Sequence, residues 1–212
     1  MKRFFSFLML VCICIVGFAQ EQPGRFTIQP KVGINISDFT DAPDAKSKIG
    51  FAAGLEAEYQ LTETFSFAGG IMYSMQGVKG YYYTFESFSS SNGAITYYYD
   101  WLKYDAKINL HYITFPFVMN AYLMKGFAFK FGFQFGIEAS TDLTIDGKSA
   151  NPDIVDINNY NTFDFSIPVG LSYEFKNFVL DGRYNIGVTK VIKDADSRNS
   201  VFQITLGYKF DI

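Results

Sequence analysis

From Phe127 to Glu138 the chain alternates without a break. Phe127, Phe129, Phe131, Phe133, Phe135 and Ile137 take one phase, and Ala128, Lys130, Gly132, Gln134, Gly136 and Glu138 take the other. Successive side chains of a strand point to opposite faces, so this period of two describes a β-strand with one apolar and one polar face. The pattern recurs seven more times. Phe26 to Ser37, Ile49 to Gln60, Phe65 to Gln76, Phe163 to Phe175, Phe178 to Val188 and Phe202 to Ile212 are as regular as the first. The remaining stretch changes phase: Ile108, Leu110 and Tyr112 precede Ile113, Phe115, Phe117, Met119, Ala121 and Leu123. A bulge near Tyr112 would reconcile the halves; alternatively, only Ile113–Leu123 crosses a bilayer and the upper half projects beyond it.

The links between stretches alternate in length. Leu61–Thr64, Lys125-Gly126 and Lys176-Asn177 are short turns, whereas Asp38–Lys48, Lys79–Tyr104, Asp142–Asn161 and Ile192–Asn199 are long. An even number of strands, with short turns at one end and long loops at the other, matches bacterial outer-membrane barrels. The expected fold is all-β, an eight-stranded antiparallel up-and-down transmembrane β-barrel. Both termini and the short turns then lie on the periplasmic side and the long loops outside.

Alternation also fits a soluble barrel that points its apolar face inward around a ligand. Volume separates the two. About six large apolar side chains per strand over eight strands exceed the interior of an eight-stranded barrel, which ordinary side chains already fill. The apolar face therefore meets lipid and the polar face lines the lumen. Buried charge is costly unless paired, so the lumen-facing Lys31, Lys130, Arg183 and Lys209 are expected to engage Glu56, Glu58, Glu138, Asp164, Glu174 and Asp181 in a hydrogen-bonded plug.

Composition supports this reading. Aromatic residues make up 19% of the 212 residues and charged residues 18%, with a formal net charge of −3. That excludes a disordered chain and leaves no basic surface for nucleic acid. Lys2 and Arg3 precede an apolar run to Phe18 with small residues at Gly17 and Ala19, the pattern of a secretory signal peptide. Residues 1–19 are expected to be that leader and residues 20–212 the barrel domain. Cys12 and Cys14, the two cysteines, both fall in the leader.

Several short strings resemble the PorT-like, porin-family outer-membrane β-barrel proteins: Pro30-Lys31-Val32-Gly33-Ile34-Asn35, Gly69-Gly70-Ile71-Met72-Tyr73-Ser74, Phe115-Pro116-Phe117, Arg183-Tyr184-Asn185 and Leu206-Gly207-Tyr208-Lys209-Phe210. The resemblance implies an eight-stranded barrel in the outer membrane of a Gram-negative cell. It supplies no catalytic residues, and one member type takes part in secretion. Thr205, Gly207 and Phe210 resemble the terminal signal read by barrel-assembly machinery, with Ile212 where an aromatic is usual.

Three functions are consistent with these features. The first is a non-enzymatic barrel with a plugged lumen, structural or binding through its long loops, with no cofactor or metal site. Its loop surface would be Tyr81, Tyr83, Phe85, Tyr97, Tyr99 and Trp101, two aromatic runs around a Ser/Asn/Gly tip that read as a hairpin continuing the third and fourth strands above the bilayer. Tyrosine offers large contact area at low entropic cost. The second is a lipid-modifying enzyme centred on His111, the only histidine. The third is a narrow pore or secretion-complex component. Expected partners are outer-membrane lipid and lipopolysaccharide, the assembly machinery during insertion, and an extracellular or envelope protein.

Overall fold

A computed structural model of the chain describes residues 22–40, 45–87, 99–150, 161–191 and 196–212. The expected leader lies outside these residues. The strands are β1 (Phe26–Phe39), β2 (Lys46–Gln60), β3 (Phe65–Ser87), β4 (Tyr99–Met124), β5 (Phe127–Ile145), β6 (Lys148–Ala150), β7 (Phe163–Phe175), β8 (Phe178–Lys190), β9 (Arg198–Tyr208) and β10 (Phe210–Asp211). Each long strand pairs antiparallel with its neighbour in the order β1-β2-β3-β4-β5-β7-β8-β9, and β9 returns to β1. Closure runs from Lys31↔Gly207 to Phe39↔Asn199, and β10 extends it through Thr27↔Asp211. The ring closes on eight staves, so the barrel wall below the β3–β4 extension has no free edge. β6 only folds back on β5 through the Asp146-Gly147 turn, where both residues have positive φ.

The burial pattern is that of a soluble protein turned inside out. Along β1, Thr27, Gln29, Lys31, Asn35 and Ser37 are buried, while Val32 and Ile34 are exposed. Leu55, Ile71, Ile137, Leu171 and Leu206 are each close to 50% exposed, whereas Glu56 and Arg183 are 1% exposed. An apolar belt on this scale is a surface for lipid. Phe67, Phe117, Phe133 and Phe135 form a ring ladder along it, with Phe117 and Phe133 stacked at 5.4 Å. On the inner face, a Cβ at Gly33 would stand 1.9 Å from the Ile204 carbonyl, and one at Gly132 would stand 2.0 Å from the Phe117 carbonyl. Glycine there lets adjacent strands coil tightly around a narrow lumen.

Two expectations require correction. β4 keeps one phase from Leu110 to Tyr122: Leu110, Tyr112, Thr114, Val118, Asn120 and Tyr122 all face inward. The irregularity is on β5 instead, where His111↔Ser140 is followed by Tyr112↔Glu138 and Ala139 is the extra residue. Leu110 and Tyr112 therefore do not face lipid. They join Phe39, Val78 and Val191 in an apolar cluster inside the outer end of the barrel. Apolar residues beyond the bilayer gain more by packing on each other across the lumen than by facing water.

The second correction concerns the link after β5, part of which is strand; the link between β3 and β4 folds as the hairpin that its two aromatic runs suggest. Strand pairing consumes much of both links: β3 and β4 pair from Phe65↔Ala121 out to Ser87↔Tyr99, and β5 continues to Ile145. The β3–β4 hairpin, with strands of 23 and 26 residues, thus rises past its neighbours β2 (15 residues) and β5 (19 residues), whose pairing with it ends at Lys46↔Lys79 and Ala106↔Ile145.

Candidate functional site: the ionic plug and the outer rim

Lumen positions two residues apart on one strand stack along the barrel axis, so the plug is built in layers. The central layer draws on four staves. Asp181 on β8 accepts from all three cations: Lys31 Nζ at 2.8 Å, Lys130 Nζ at 2.5 Å and Arg183, whose Nε reaches Oδ1 at 2.9 Å and Nη2 reaches Oδ2 at 2.7 Å. Glu56 on β2 accepts from Arg183 Nη2 at 2.6 and 2.9 Å and from Lys31 Nζ at 3.2 Å, with Lys130 at 3.7 Å. Lys130 comes from β5, so the bonds span the lumen. Three cations surround two carboxylates, leaving the layer one formal charge positive.

Toward the turn end, Lys209 bridges Glu58 at 2.9 Å and Glu174 at 2.7 Å. Glu58 also accepts from Ser66 Oγ at 2.5 Å and from the Tyr122 hydroxyl at 2.6 Å. Arg25 adds a contact to Glu174 and an ion pair with Asp211. Tyr122, absent from the sequence-derived set, accepts from Lys209 Nζ at 3.1 Å as well as donating to Glu58. Hydrogen bonds involving charged groups contribute about 1.5–3 kcal/mol. Tyr122→Phe is therefore expected to lower stability by about 2 kcal/mol, read as a shifted urea midpoint with unchanged slope.

On the other side of the centre, Asn35 donates to Ser74 at 2.9 Å and accepts from Gln203 at 3.0 Å, and Gln76 donates to the same Ser74. Lys48, also buried, donates to the Gln76 carbonyl at 3.0 Å. The apolar cluster of Phe39, Val78, Leu110, Tyr112 and Val191 closes this end.

Of the ten lumen residues expected from sequence, Lys31, Glu56, Lys130, Asp181 and Arg183 meet in the central layer. Glu58, Glu174 and Lys209 meet in the next. Asp164 is buried apart from both, accepting from Asn199 Nδ2 at 3.0 Å. Glu138 stands half-buried beside the β5 irregularity, where it accepts from Thr141. At the rim, Lys190 and Asp196 pair at 2.7 Å, and that contact holds the exposed Asp196 carboxyl below its usual range.

His111 has the outward phase. Its Nδ1 lies 2.5 Å from the Tyr73 hydroxyl and its Nε2 lies 2.9 Å from Asp142 Oδ2. Among the aromatic residues expected to form a loop surface, Tyr81 accepts from Lys46 Nζ at 2.6 Å. The backbones of Tyr83, Phe85, Tyr99 and Trp101 lie in the β3–β4 hairpin, with Phe85 opposite Trp101. Tyr97 lies outside the described residues. Among the described residues no cluster of ligating side chains could hold a metal ion.

Residues 18–193 match the family model described as outer membrane protein beta-barrel domain. None of the curated proteins matches the chain. Among solved structures, the chain is similar to the Neisserial surface protein A (NspA), with 13% identity, TM-score 0.47, and 87% of this chain and 97% of that one covered. It is also similar to Ail, the attachment invasion locus protein of Yersinia pestis, with 14% identity, TM-score 0.43, and coverage of 89% and 100%. A third is the N-terminal beta-barrel domain of Pseudomonas aeruginosa OprF, with 11% identity, TM-score 0.36, and coverage of 90% and 100%.

Proposed function

The chain belongs to the outer-membrane protein β-barrel domain family, and from that premise we propose a non-enzymatic barrel with a closed lumen that presents its β3–β4 hairpin as a binding surface. The observation that carries this reading is the contrast between the two parts. Ion pairs bridge the lumen from β5 to β2 and β8, while among the described residues the hairpin extends beyond every other pair of staves. The filled lumen argues against a pore. The aromatic residues in the hairpin sequence fit an extracellular or envelope protein partner. The termini and short turns are periplasmic in this arrangement, residues 1–19 direct export, and the chain is of the PorT-like type.

The test is the full barrel with residues 84–102 replaced by a two-residue Asn-Gly turn that joins the paired Tyr83 and Lys103. Affinity capture from native envelopes is expected to lose its specific partner while the barrel still inserts. Equal capture by both forms refutes the hairpin role. Discrete conductance steps from the wild type in planar bilayers refute the closed lumen.

The Tyr73–His111–Asp142 chain motivates a second reading, a lipid-modifying enzyme. Both ring nitrogens already face partners, which leaves neither to activate a serine or a water. His111→Ala is therefore expected to leave the lipid A profile of the cell unchanged, and an altered acyl pattern would restore the enzymatic reading.

A further inference from the structure

We propose that Lys46, Lys79 and Lys107 form a binding site for the phosphate groups of an outer-leaflet glycolipid, lipid A. The three lysines occupy directly paired positions on three adjacent strands: Lys46↔Lys79 joins β2 to β3, and Lys79↔Lys107 joins β3 to β4. Directly opposed side chains stand about 5 Å apart at Cβ, and like charges there are destabilising. Three in a row is a costly arrangement for a wall to carry without an anion. The lysines line a cleft of about 240 Å³ together with Gly80, Tyr81 and Asp105. Asp105 is the one carboxylate lining it, so positive charge is in excess. Lys46 is held in place by the Tyr81 hydroxyl at 2.6 Å, with its ammonium 4.8 Å from the ring centroid.

The height of the cleft identifies the ligand. Lys79 and Lys107 keep the phase of Tyr73 and His111, so they stand on the outer wall. Below them the last apolar residues of that wall are Ile49, three residues from Lys46, and Met75, four residues from Lys79. A strand rises about 3.3 Å per residue, so the lysines stand about 10 Å along the strands past the hydrocarbon belt. That is the depth of lipid headgroups, and in the outer leaflet the anionic groups at that depth are lipid A phosphates. The polar Tyr73–His111–Asp142 chain straddles the top of the belt, with His111 level with Met75 and below the lysines, where the bilayer changes from apolar to wet. The site does not depend on the hairpin tip or its partner.

The probe is purified full-length barrel in neutral detergent, titrated with bisphosphorylated lipid A and with the same lipid after phosphate removal. A lysine near an anionic lipid surface contributes about a fivefold gain in affinity. K46Q/K79Q/K107Q is therefore expected to bind the phosphorylated lipid about a hundredfold more weakly than wild type. Each single Lys→Gln change costs about fivefold and the triple Lys→Arg form stays within about threefold. Binding also weakens as salt rises. Circular dichroism is expected to match wild type, and the urea midpoint without lipid A is expected to be no lower, because the like-charge row is relieved. The single variants preserve the test should the triple one misfold. Triple-Gln binding within threefold of wild type, or equal affinity for the dephosphorylated lipid, overturns the site. Tighter binding of a soluble sulfated oligosaccharide or of inorganic phosphate than of lipid A overturns the lipid assignment.

Discussion

Asp181→Asn is expected to lower the free energy of unfolding by about 3–5 kcal/mol, the cost of leaving buried charge without its counter-ion. Lys31→Met is expected to cost less than half as much. The asymmetry follows from the charge count of the central layer. Asp181 is contacted by Lys31, Lys130 and Arg183. Without it, one carboxylate, Glu56, faces three cations, and Lys130 keeps only its 3.7 Å contact. Removing Lys31 leaves two cations and two carboxylates: Glu56 still binds Arg183 at 2.6 Å, and Asp181 still binds Lys130 and Arg183. The layer becomes neutral and no carboxylate is orphaned. The thioether chain of methionine also fills most of the lysine stem's volume. Reversible urea unfolding in lipid vesicles measures both changes. If Lys31→Met proves as damaging as Asp181→Asn, the layer is not governed by charge balance, and the closed-lumen reading loses its main support.

The pairing that makes this layer was only partly legible in the sequence. That Lys130 and Asp181 both face the lumen follows from alternation within their own strands, because a period of two assigns each residue to a face without reference to any other strand. That they meet does not. Lys130 and Asp181 are 51 residues apart and Arg183 and Glu56 are 127 apart. Their contact depends on stagger around the whole ring, to which every turn and bulge contributes. Tyr122 shares the phase of Asn120, a signal that could have placed it inside, yet a tyrosine near a strand end reads equally as an interfacial anchor. The phase of Ile108, Leu110 and Tyr112 was misleading for a related reason. Hydrophobicity marks a side chain as avoiding water, and above the bilayer the lumen is the place to avoid it. The lysine row across β2, β3 and β4 is likewise a property of register, since no two of its members are neighbours in sequence.

Phe133→Arg tests the orientation on which all of these sites depend. Phe133 is near the middle of the outward run from Phe127 to Ile137, 42% exposed and stacked on Phe117. An arginine at the bilayer midplane of a barrel costs about 2–4 kcal/mol, falling to about 0–1 kcal/mol near the interface. Phe175, which is 59% exposed, precedes the Lys176-Asn177 turn at the membrane edge. Phe175→Arg is therefore expected to be nearly neutral in lipid vesicles, while Phe133→Arg loses about 2–4 kcal/mol. The contrast is specific to a bilayer, because in water both outward positions would accept a charge, and around a central ligand cavity both would reject it. Equal costs at the two positions would mean that no depth-dependent apolar medium surrounds the barrel. The lumen charges would then lack the low-dielectric enclosure that makes their pairing matter, and the lysine row would stand at no defined distance from any headgroup.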